Sequence, residues 1–320
     1  MSKVTTSHSL LPLTFVPLFK KRIWGGRRLE ELFGKKLPAN ERIGESWEIV
    51  DRPEAQSVVR DGTWQGRTVH ELWREERGDI FGDIADAPRF PLFVKLLDAA
   101  EKLSVQVHPP AALADSLGGE PKTEFWYIAA AQPGAELYVG LRNESTRDDF
   151  EAALANGTVD QHLHRISVRT GDAMFLPSGR VHAIGGGNVI VEIQQNSDTT
   201  YRVFDWNRTG EDGQPRALHV SESLQSIDFS DYEPALAGAE GETLVRHPLF
   251  AVEKWELTAP RPVSPAGTFA IVGCLSGEVR CAGVRLRAGE FFLVPACLRE
   301  RDLAPGATDT SLLRVSLPQT

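Results

Sequence analysis

The feature of this sequence that most constrains its fold is a strand-and-turn pattern that occurs twice. The segment "RTGDAMFLPSGRVHA" contains Gly171, and "RAGEFFLVPACLRER" contains Gly289 at the same place. Each copy continues with an acidic residue, a mostly apolar run and a proline, which is Pro177 in one copy and Pro295 in the other. A strand unit repeated along one chain is typical of a duplicated β-barrel.

Most of the remaining chain also predicts short strands. Pieces such as "ESWEIV", "FPLFVKLLDA", "TEFWYIAA" and "NVIVEIQQ" are rich in β-branched and aromatic residues and are bounded by turn formers. Helical patterns are fewer, and we expect helices at 28–33, 70–75, 111–117 and 146–155, with Ser145 or Thr146 capping the last. The chain is therefore predicted to be mainly β, with two tandem barrels and a few short helices.

An acidic segment poor in strand formers, "SDYEPALAGAEGE", separates the two copies and has the composition of a surface linker. We therefore expect an N-terminal domain at 1–230 and a C-terminal domain at 231–320. Five residues past the shared proline, the first copy has His182 and the second has Glu300. A metal site is thus expected in the first domain and none in the second.

Composition excludes several classes of protein. The 320 residues carry a net charge of −9, which argues against a nucleic-acid or anionic-membrane partner. No run is long enough to span a membrane, and the N-terminus lacks the pattern of a signal peptide. The three cysteines, Cys274, Cys281 and Cys297, do not form a zinc-finger or disulfide pattern, so we expect reduced thiols and a cytoplasmic location.

The stretch "KLSVQVHPP" carries the first chemical signal. Ser104, Gln106 and His108 share one face of a strand because side chains alternate with period two. Alone, a strand histidine is more often structural than a ligand. Glu124, on a strand rich in aromatic residues, is costly to bury unless a cation balances it. His108, Glu124 and His182 together form a set of two nitrogens and one carboxylate, which suits a catalytic zinc with an open position. Gln106 is a candidate fourth ligand.

Two further polar residues follow His182. Arg202 is either a surface ion pair or a cation placed beside developing negative charge. If His182 and Val191 face each other across the glycine turn at 185–187, alternation predicts that Glu192 points away from the metal, unless a bulge intervenes. On this argument Arg202 is a stronger candidate than Glu192.

The chain resembles the type I phosphomannose isomerases in their short bacterial form, members of the cupin superfamily. The matching segments are "FKKRIWGG", "GESWEIVD", "PLFVKLLDAAEKLSVQVHP", "KTEFWYI", "GDAMFLPSGRVHAIGGG" and "EIQQNSDTTYRVFDWNR". They cover roughly residues 15–210 in the order of the family. The resemblance implies two cupin barrels and one zinc per chain.

The resemblance also implies roles for individual residues. The zinc ligands fall on Gln106, His108, Glu124 and His182. The catalytic group comprises Lys95, Lys122, Glu192 and Arg202, and substrate-binding positions fall on Trp24 and Glu48.

The implied activity is the reversible isomerisation of mannose 6-phosphate and fructose 6-phosphate through a cis-enediol. Lys95, Lys122, Glu192 and a zinc-bound water all stay open as the group that moves the proton. Two other classes of protein remain as alternatives. One is a sugar-phosphate-binding cupin without activity, and the other is a metal-dependent cupin oxygenase, which typically has more histidine ligands.

Overall fold

The computed structural model describes residues 10–210 and 213–318. Within them the chain forms short strands joined by turns and by a few short helices, as expected. The strands are β1 Leu13–Thr14, β2 Leu18–Gly26, β3 Ile43–Ile49, β4 Leu92–Ala99, β5 Val105–Val107, β6 Glu124–Ala131, β7 Glu136–Leu141, β8 Leu163–Ser167, β9 Ala173–Leu176, β10 His182–Ile184, β11 Asn188–Gln195, β12 Tyr201–Phe204, β13 Thr243–His247, β14 Phe250–Glu256, β15 Arg261–Pro262, β16 Ala270–Ser276, β17 Glu278–Cys281, β18 Val284–Arg287, β19 Phe291–Val294, β20 Asp302–Pro305 and β21 Ser311–Ser316.

The helices are α1 Arg28–Phe33, α2 Val69–Glu75, α3 Arg77–Phe81, α4 Ala111–Ala114, α5 Arg147–Asn156 and α6 Val220–Ser226. All four expected helices form, although the third is shortened and continues as a 3₁₀ turn, Asp115–Leu117. Thr146 caps α5 in a reciprocal arrangement with Asp149, which confirms one of the two expected caps. The sequence interpretation missed α3 and α6. In the described residues, no helix is long and apolar enough to cross a membrane.

The chain divides into two compact units. Among the described residues, one unit comprises 19–47 and 92–238, and the other comprises 10–18, 48–91 and 239–318. The border after Gly238 lies near the boundary expected at 230, but the second unit also takes in two segments from the N-terminal part of the chain.

The first unit contains a six-stranded and a five-stranded sheet. Their strand orders are β2-β3-β4-β11-β6-β9 and β12-β5-β10-β7-β8. Buried side chains from the two sheets share one core, for example Trp126 and Ile190 from the first and Val139 and Ile184 from the second. The sheets therefore pack face to face, with the core between them.

The second unit repeats this plan with a six-stranded sheet, β1-β19-β16-β21-β14-β13, and a four-stranded sheet, β15-β20-β17-β18. Its core also joins both sheets, through residues such as Phe292 and Leu312 on one side and Val279 and Leu303 on the other. The prediction of a mainly β fold with a few short helices is confirmed. The three cysteines are free, as expected.

Candidate metal centre and active site

Two histidines and one glutamate converge inside the first unit. His108 follows β5, Glu124 begins β6 and His182 begins β10. The Nε2 atom of His108 lies 3.3 Å from Oε1 of Glu124, and Nε2 of His182 lies 3.8 Å from Oε2. All three side chains are buried, and their potential ligand atoms lie within 4.8 Å of one another. The structure thus brings together the three residues that the sequence predicted as metal ligands.

Backbone carbonyl groups orient both imidazole rings. Nδ1 of His108 lies 2.8 Å from the carbonyl oxygen of Thr199, and Nδ1 of His182 lies 2.9 Å from that of Arg180. Each Nδ1 therefore carries the proton and donates it, which leaves the Nε2 lone pair directed at Glu124. Burial and the nearby Lys122 ammonium lower the pKa of His108 to about 3, and burial also lowers the pKa of His182. Both rings are accordingly neutral at pH 7, the form that binds metals.

The Glu124 carboxylate has the properties of a metal ligand. Burial alone would raise its pKa, but the charge of Lys122 and the contact with His108 hold the pKa well below its usual range. The Lys122 ammonium lies 2.8 Å from Oε1, yet neither oxygen accepts a well-formed hydrogen bond from the described residues. Two neutral imidazoles and one ionised carboxylate fit Zn²⁺, which binds nitrogen and oxygen donors.

The metal cluster borders a cavity of about 350 Å³, within the range of roughly 300–1,000 Å³ typical of small-molecule sites. Most of its lining is polar or charged. The polar and aromatic lining residues are Arg22, Trp24, Glu45, Lys95, Ser104, Gln106, Lys122, Glu124, Trp126, His182, Glu192, Asp198, Thr200, Arg202 and Arg216. The amide nitrogen of Gln106 donates to the Ser104 hydroxyl at 3.2 Å, which leaves its amide oxygen for a metal or a ligand.

A buried ion pair stands on the six-stranded sheet beside the metal cluster. Lys95 on β4 and Glu192 on β11 are direct cross-strand neighbours, and their charged atoms lie 3.2 Å apart. Trp126 on β6 donates its indole N–H to the other Glu192 oxygen at 2.9 Å. Burial raises the pKa of Glu192 despite the opposing charge of Lys95. A fixed carboxylate with a raised pKa is a stronger base than an ordinary carboxylate, which suits proton transfer.

The expectation that Glu192 points away from the metal site is wrong. It assumed that β10 and β11 form a hairpin. Instead, β10 pairs with β5 and β7 in the five-stranded sheet, whereas β11 pairs with β4 and β6 in the six-stranded one. The glycine turn therefore crosses between sheets, and alternation along a single hairpin does not apply.

Strands β2 and β3 supply another wall of the cavity. Arg22 forms an ion pair with Glu45 at 2.7 Å, and Glu45 also accepts the indole N–H of Trp47 at 2.6 Å. Gly44 makes room for this arrangement, because a Cβ at that position would lie 2.5 Å from the Arg22 Cβ and 2.7 Å from the Trp24 ring. Trp24 borders the cavity, as its predicted role requires.

Glu48 does not border the cavity, whereas Glu45 from the same "GESWEIV" segment does. The two residues are three positions apart on β3 and therefore point to opposite faces. Alternation separates the two glutamates, but no local pattern shows which of them faces the cavity. Ser104, which shares its strand face with Gln106 and His108, also lines the cavity. Arg22, Asp198, Thr200 and Arg216 line it as well and were missed, because no local pattern distinguishes them from surface residues.

Arg202 extends from β12 into the cavity wall. Its Nη1 donates to the carbonyl oxygen of Ala217 at 2.8 Å, while its Nε is buried and has no hydrogen-bond partner among the described residues. Burial and the neighbouring charge of Arg216 lower the pKa of the Arg202 guanidinium. The interpretation of Arg202 as a surface ion pair is thus not supported, since the described residues provide no carboxylate partner for it.

Comparison with known proteins identifies the family. The model of the type I phosphomannose isomerase catalytic domain matches residues 12–125. A mannose-6-phosphate isomerase of Streptococcus mutans is 38% identical over 299 residues, covering 90% of this chain and 93% of the relative. The mannose-6-phosphate isomerase ManA of Bacillus subtilis is 37% identical over 302 residues, with 90% and 94% coverage. The chain belongs to the mannose-6-phosphate isomerase family.

A solved structure agrees with this assignment. The crystal structure of a mannose 6-phosphate isomerase from Bacillus subtilis superposes with a TM-score of 0.85 at 31% identity, covering 96% of this chain and all of the other. The predicted resemblance is confirmed, as is the predicted enzyme class, an aldose–ketose isomerase.

Proposed function

We propose that this enzyme interconverts mannose 6-phosphate and fructose 6-phosphate through a cis-enediol, with one zinc ion per chain. One observation carries the proposal: Glu124 and His182 of the three-residue metal cluster line the same cavity as the buried Lys95–Glu192 pair. A metal-ligand set and a separate proton acceptor are the two elements that this isomerisation needs. The free thiols support the cytoplasmic location.

The zinc would be held by Nε2 of His108, Nε2 of His182 and the Glu124 carboxylate, with the Gln106 amide oxygen as a fourth donor. When bound, zinc supplies positive charge that stabilises oxygen anions without redox chemistry. A solved mannose 6-phosphate isomerase of the same fold, 18% identical to this chain, was crystallised with zinc and yttrium.

Glu192 is the proposed group that moves the proton between C1 and C2 of the sugar. Lys95 and Trp126 fix both of its oxygens, so that little reorganisation is needed during the transfer. A single carboxylate on one side of a cis-enediol can take the proton from one carbon and return it to the other. The proposal thus selects Glu192 from the four candidates that the sequence left open, which were Lys95, Lys122, Glu192 and a zinc-bound water.

The remaining predicted residues have supporting roles. Lys122 and Arg202 place positive charge in the cavity wall, Lys122 beside the Glu124 carboxylate and Arg202 as a contact for the anionic group of the substrate, and Trp24 provides an apolar wall. The role of Glu48 in substrate binding stays a prediction.

The test is a coupled assay that measures fructose 6-phosphate formed from mannose 6-phosphate. We expect turnover by the purified protein, loss of turnover after metal chelation, and recovery when zinc is added. Unchanged turnover in protein verified to be metal-free would contradict the proposed zinc dependence. A protein with full zinc content and no turnover would instead be a sugar-phosphate-binding cupin.

A further inference from the structure

The cationic side chains that border the cavity differ in whether their charge is already neutralised. Three of them pair with carboxylates of the same cavity: Arg22 with Glu45 at 2.7 Å, Lys95 with Glu192 at 3.2 Å and Lys122 with Glu124 at 2.8 Å. These pairs leave little net charge for binding an anion. Arg202 and Arg216 remain, and both lie on one stretch of the cavity wall, contributed by β12 and the segment that follows it.

Around Arg202 and Arg216 the positive charge exceeds the negative charge. Asp205, which is buried, accepts Nε of Arg216 at 2.7 Å, Nη2 of Arg216 at 2.6 Å and Nε of Arg208 at 2.9 Å. Burial alone would raise the pKa of Asp205, but these two arginines lower it. One carboxylate thus binds two guanidinium groups, while the neighbouring Arg202 forms no ion pair with a carboxylate of the described residues. Asp198 also borders the cavity.

Guanidinium donors that face the cavity lack an acceptor. Nε of Arg202 is buried without a hydrogen-bond partner among the described residues. A guanidinium has five N–H donors, and the contact with Asp205 uses only two of those of Arg216. Buried donors are normally paired, so their presence beside a cavity points to an acceptor-rich ligand.

We infer that Arg216, positioned by Asp205, binds the phosphate group of the substrate together with Arg202, and that Arg216 selects phosphorylated over unphosphorylated sugars. This inference rests on the proposed function. Guanidinium groups match a phosphate dianion in both charge and donor geometry. The phosphate on C6 lies at the far end of the sugar from C1 and C2. The metal ligands come from β5, β6 and β10, whereas Arg216 comes from the segment after β12. Arg202 on β12 is the direct cross-strand neighbour of Gln106 on β5.

Arg208 provides a matched control. It binds the same Asp205 carboxylate as Arg216 and is similarly buried, with 20% of its side chain exposed against 22%, but it does not border the cavity. Removing either arginine costs Asp205 a partner, whereas only Arg216 is expected to contact the substrate.

The experiment compares Arg216→Gln and Arg208→Gln with the wild-type enzyme. We expect Arg216→Gln to raise KM for mannose 6-phosphate by about 10- to 100-fold, the range expected for losing hydrogen bonds to a charged group. Zinc content should stay the same and kcat should change little. Arg208→Gln should change KM by less than about threefold, below the cost of one such bond. Equal effects of the two substitutions would mean that Arg216 acts only through the local fold, and would overturn the inference.

Calorimetry with mannitol 6-phosphate and mannitol separates this inference from the proposed function, since neither compound can isomerise. Wild type should bind the phosphorylated compound more tightly, and Arg216→Gln should lose most of that preference. A wild type that lacks isomerase activity but shows this preference, lost in the variant, would refute the proposed function and support the inference. If the wild type is active and the Arg216→Gln variant still prefers the phosphorylated compound, the proposed function is supported and the inference is overturned.

Discussion

The two six-stranded sheets of this enzyme share one strand plan but carry different chemistry. The order β3-β4-β11-β6-β9 in the first matches β13-β14-β21-β16-β19 in the second. The correspondence extends to single residues. Lys95 and Glu192 are direct cross-strand neighbours in the first sheet, and Glu253 and Arg314 are direct neighbours at the same place in the second. Both pairs form ion pairs at 3.2 Å, with the two charges exchanged.

The metal site differs at the equivalent positions. Glu124 pairs with Leu176 in the first sheet, and Ala270 pairs with Val294 in the second. The repeated sequence pattern aligns Leu176 with Val294, which makes Ala270 the counterpart of the metal-binding carboxylate. The second unit therefore keeps the frame and an ion pair but lacks that ligand. The comparison shows that the shared frame determines where side chains point, while a few substitutions determine whether a metal can bind.

The largest effect that separates the two ion pairs is on catalysis. We expect Glu192→Gln to reduce kcat by about 100-fold or more, the usual contribution of a general base. Arg314→Gln, at the equivalent position of the second sheet, should leave kcat within about twofold, a margin well below that contribution. The coupled isomerase assay measures both variants. A similar loss in the two would mean that Glu192 contributes to the fold and not to proton transfer.

Stability should show a smaller contrast. Arg314 is largely buried and also donates to the Val263 carbonyl, so Arg314→Met leaves both Glu253 and that carbonyl short of a partner. We expect a loss of about 1–3 kcal/mol in the free energy of unfolding, with isomerase activity retained at 25 °C. Thermal unfolding measures the change. An unchanged melting temperature would show that the second ion pair is energetically neutral.

The smallest effect concerns the thiols of the second unit. Burial raises the pKa values of Cys274 and Cys281 to about 12, and it raises the pKa of Cys297 as well. Because only thiolates react, and roughly one molecule in ten thousand is a thiolate at pH 8 for such a pKa, Cys274 and Cys281 should resist a thiol reagent in the native enzyme. Their labelling rates should increase as the pH rises towards 12.

Cys297 is less buried and should react first. Labelling of Cys274 and Cys281 then reports opening of the second unit, while isomerase activity reports the first. Equal rates for all three thiols in the native enzyme would contradict this view.

Much of the fold could be predicted from the sequence because the signals were local. Strand composition, turn residues and the cap at Thr146 act over a few positions. The glycine and proline positions that occur twice in the sequence indicated the duplication. The two observed units do not follow the expected division into 1–230 and 231–320 in every segment. Residues 48–91 precede most of the first unit in the sequence but belong to the second unit in space. Such long-range association leaves no local pattern.

In the candidate site, too, residues with a local sequence signal could be predicted and residues placed by long-range contacts could not. His108, Glu124 and His182 were found because their strands and motifs identify them. Glu192 was misjudged because the pairing of β11 depends on which sheet the chain enters after the glycine turn. Arg216 was missed because its place in the cavity depends on a hydrogen bond to Asp205, eleven residues earlier in the chain. Contacts of this kind are set by tertiary structure alone.

The most direct test of the central claim, that one metal ion binds at His108, Glu124 and His182, is a zinc titration of the metal-depleted enzyme followed by calorimetry. The account predicts one tight zinc per chain for wild type and for Glu253→Gln, and none for His182→Ala. Tight binding of one zinc by a folded His182→Ala variant, or its loss in a folded Glu253→Gln variant, would contradict the account.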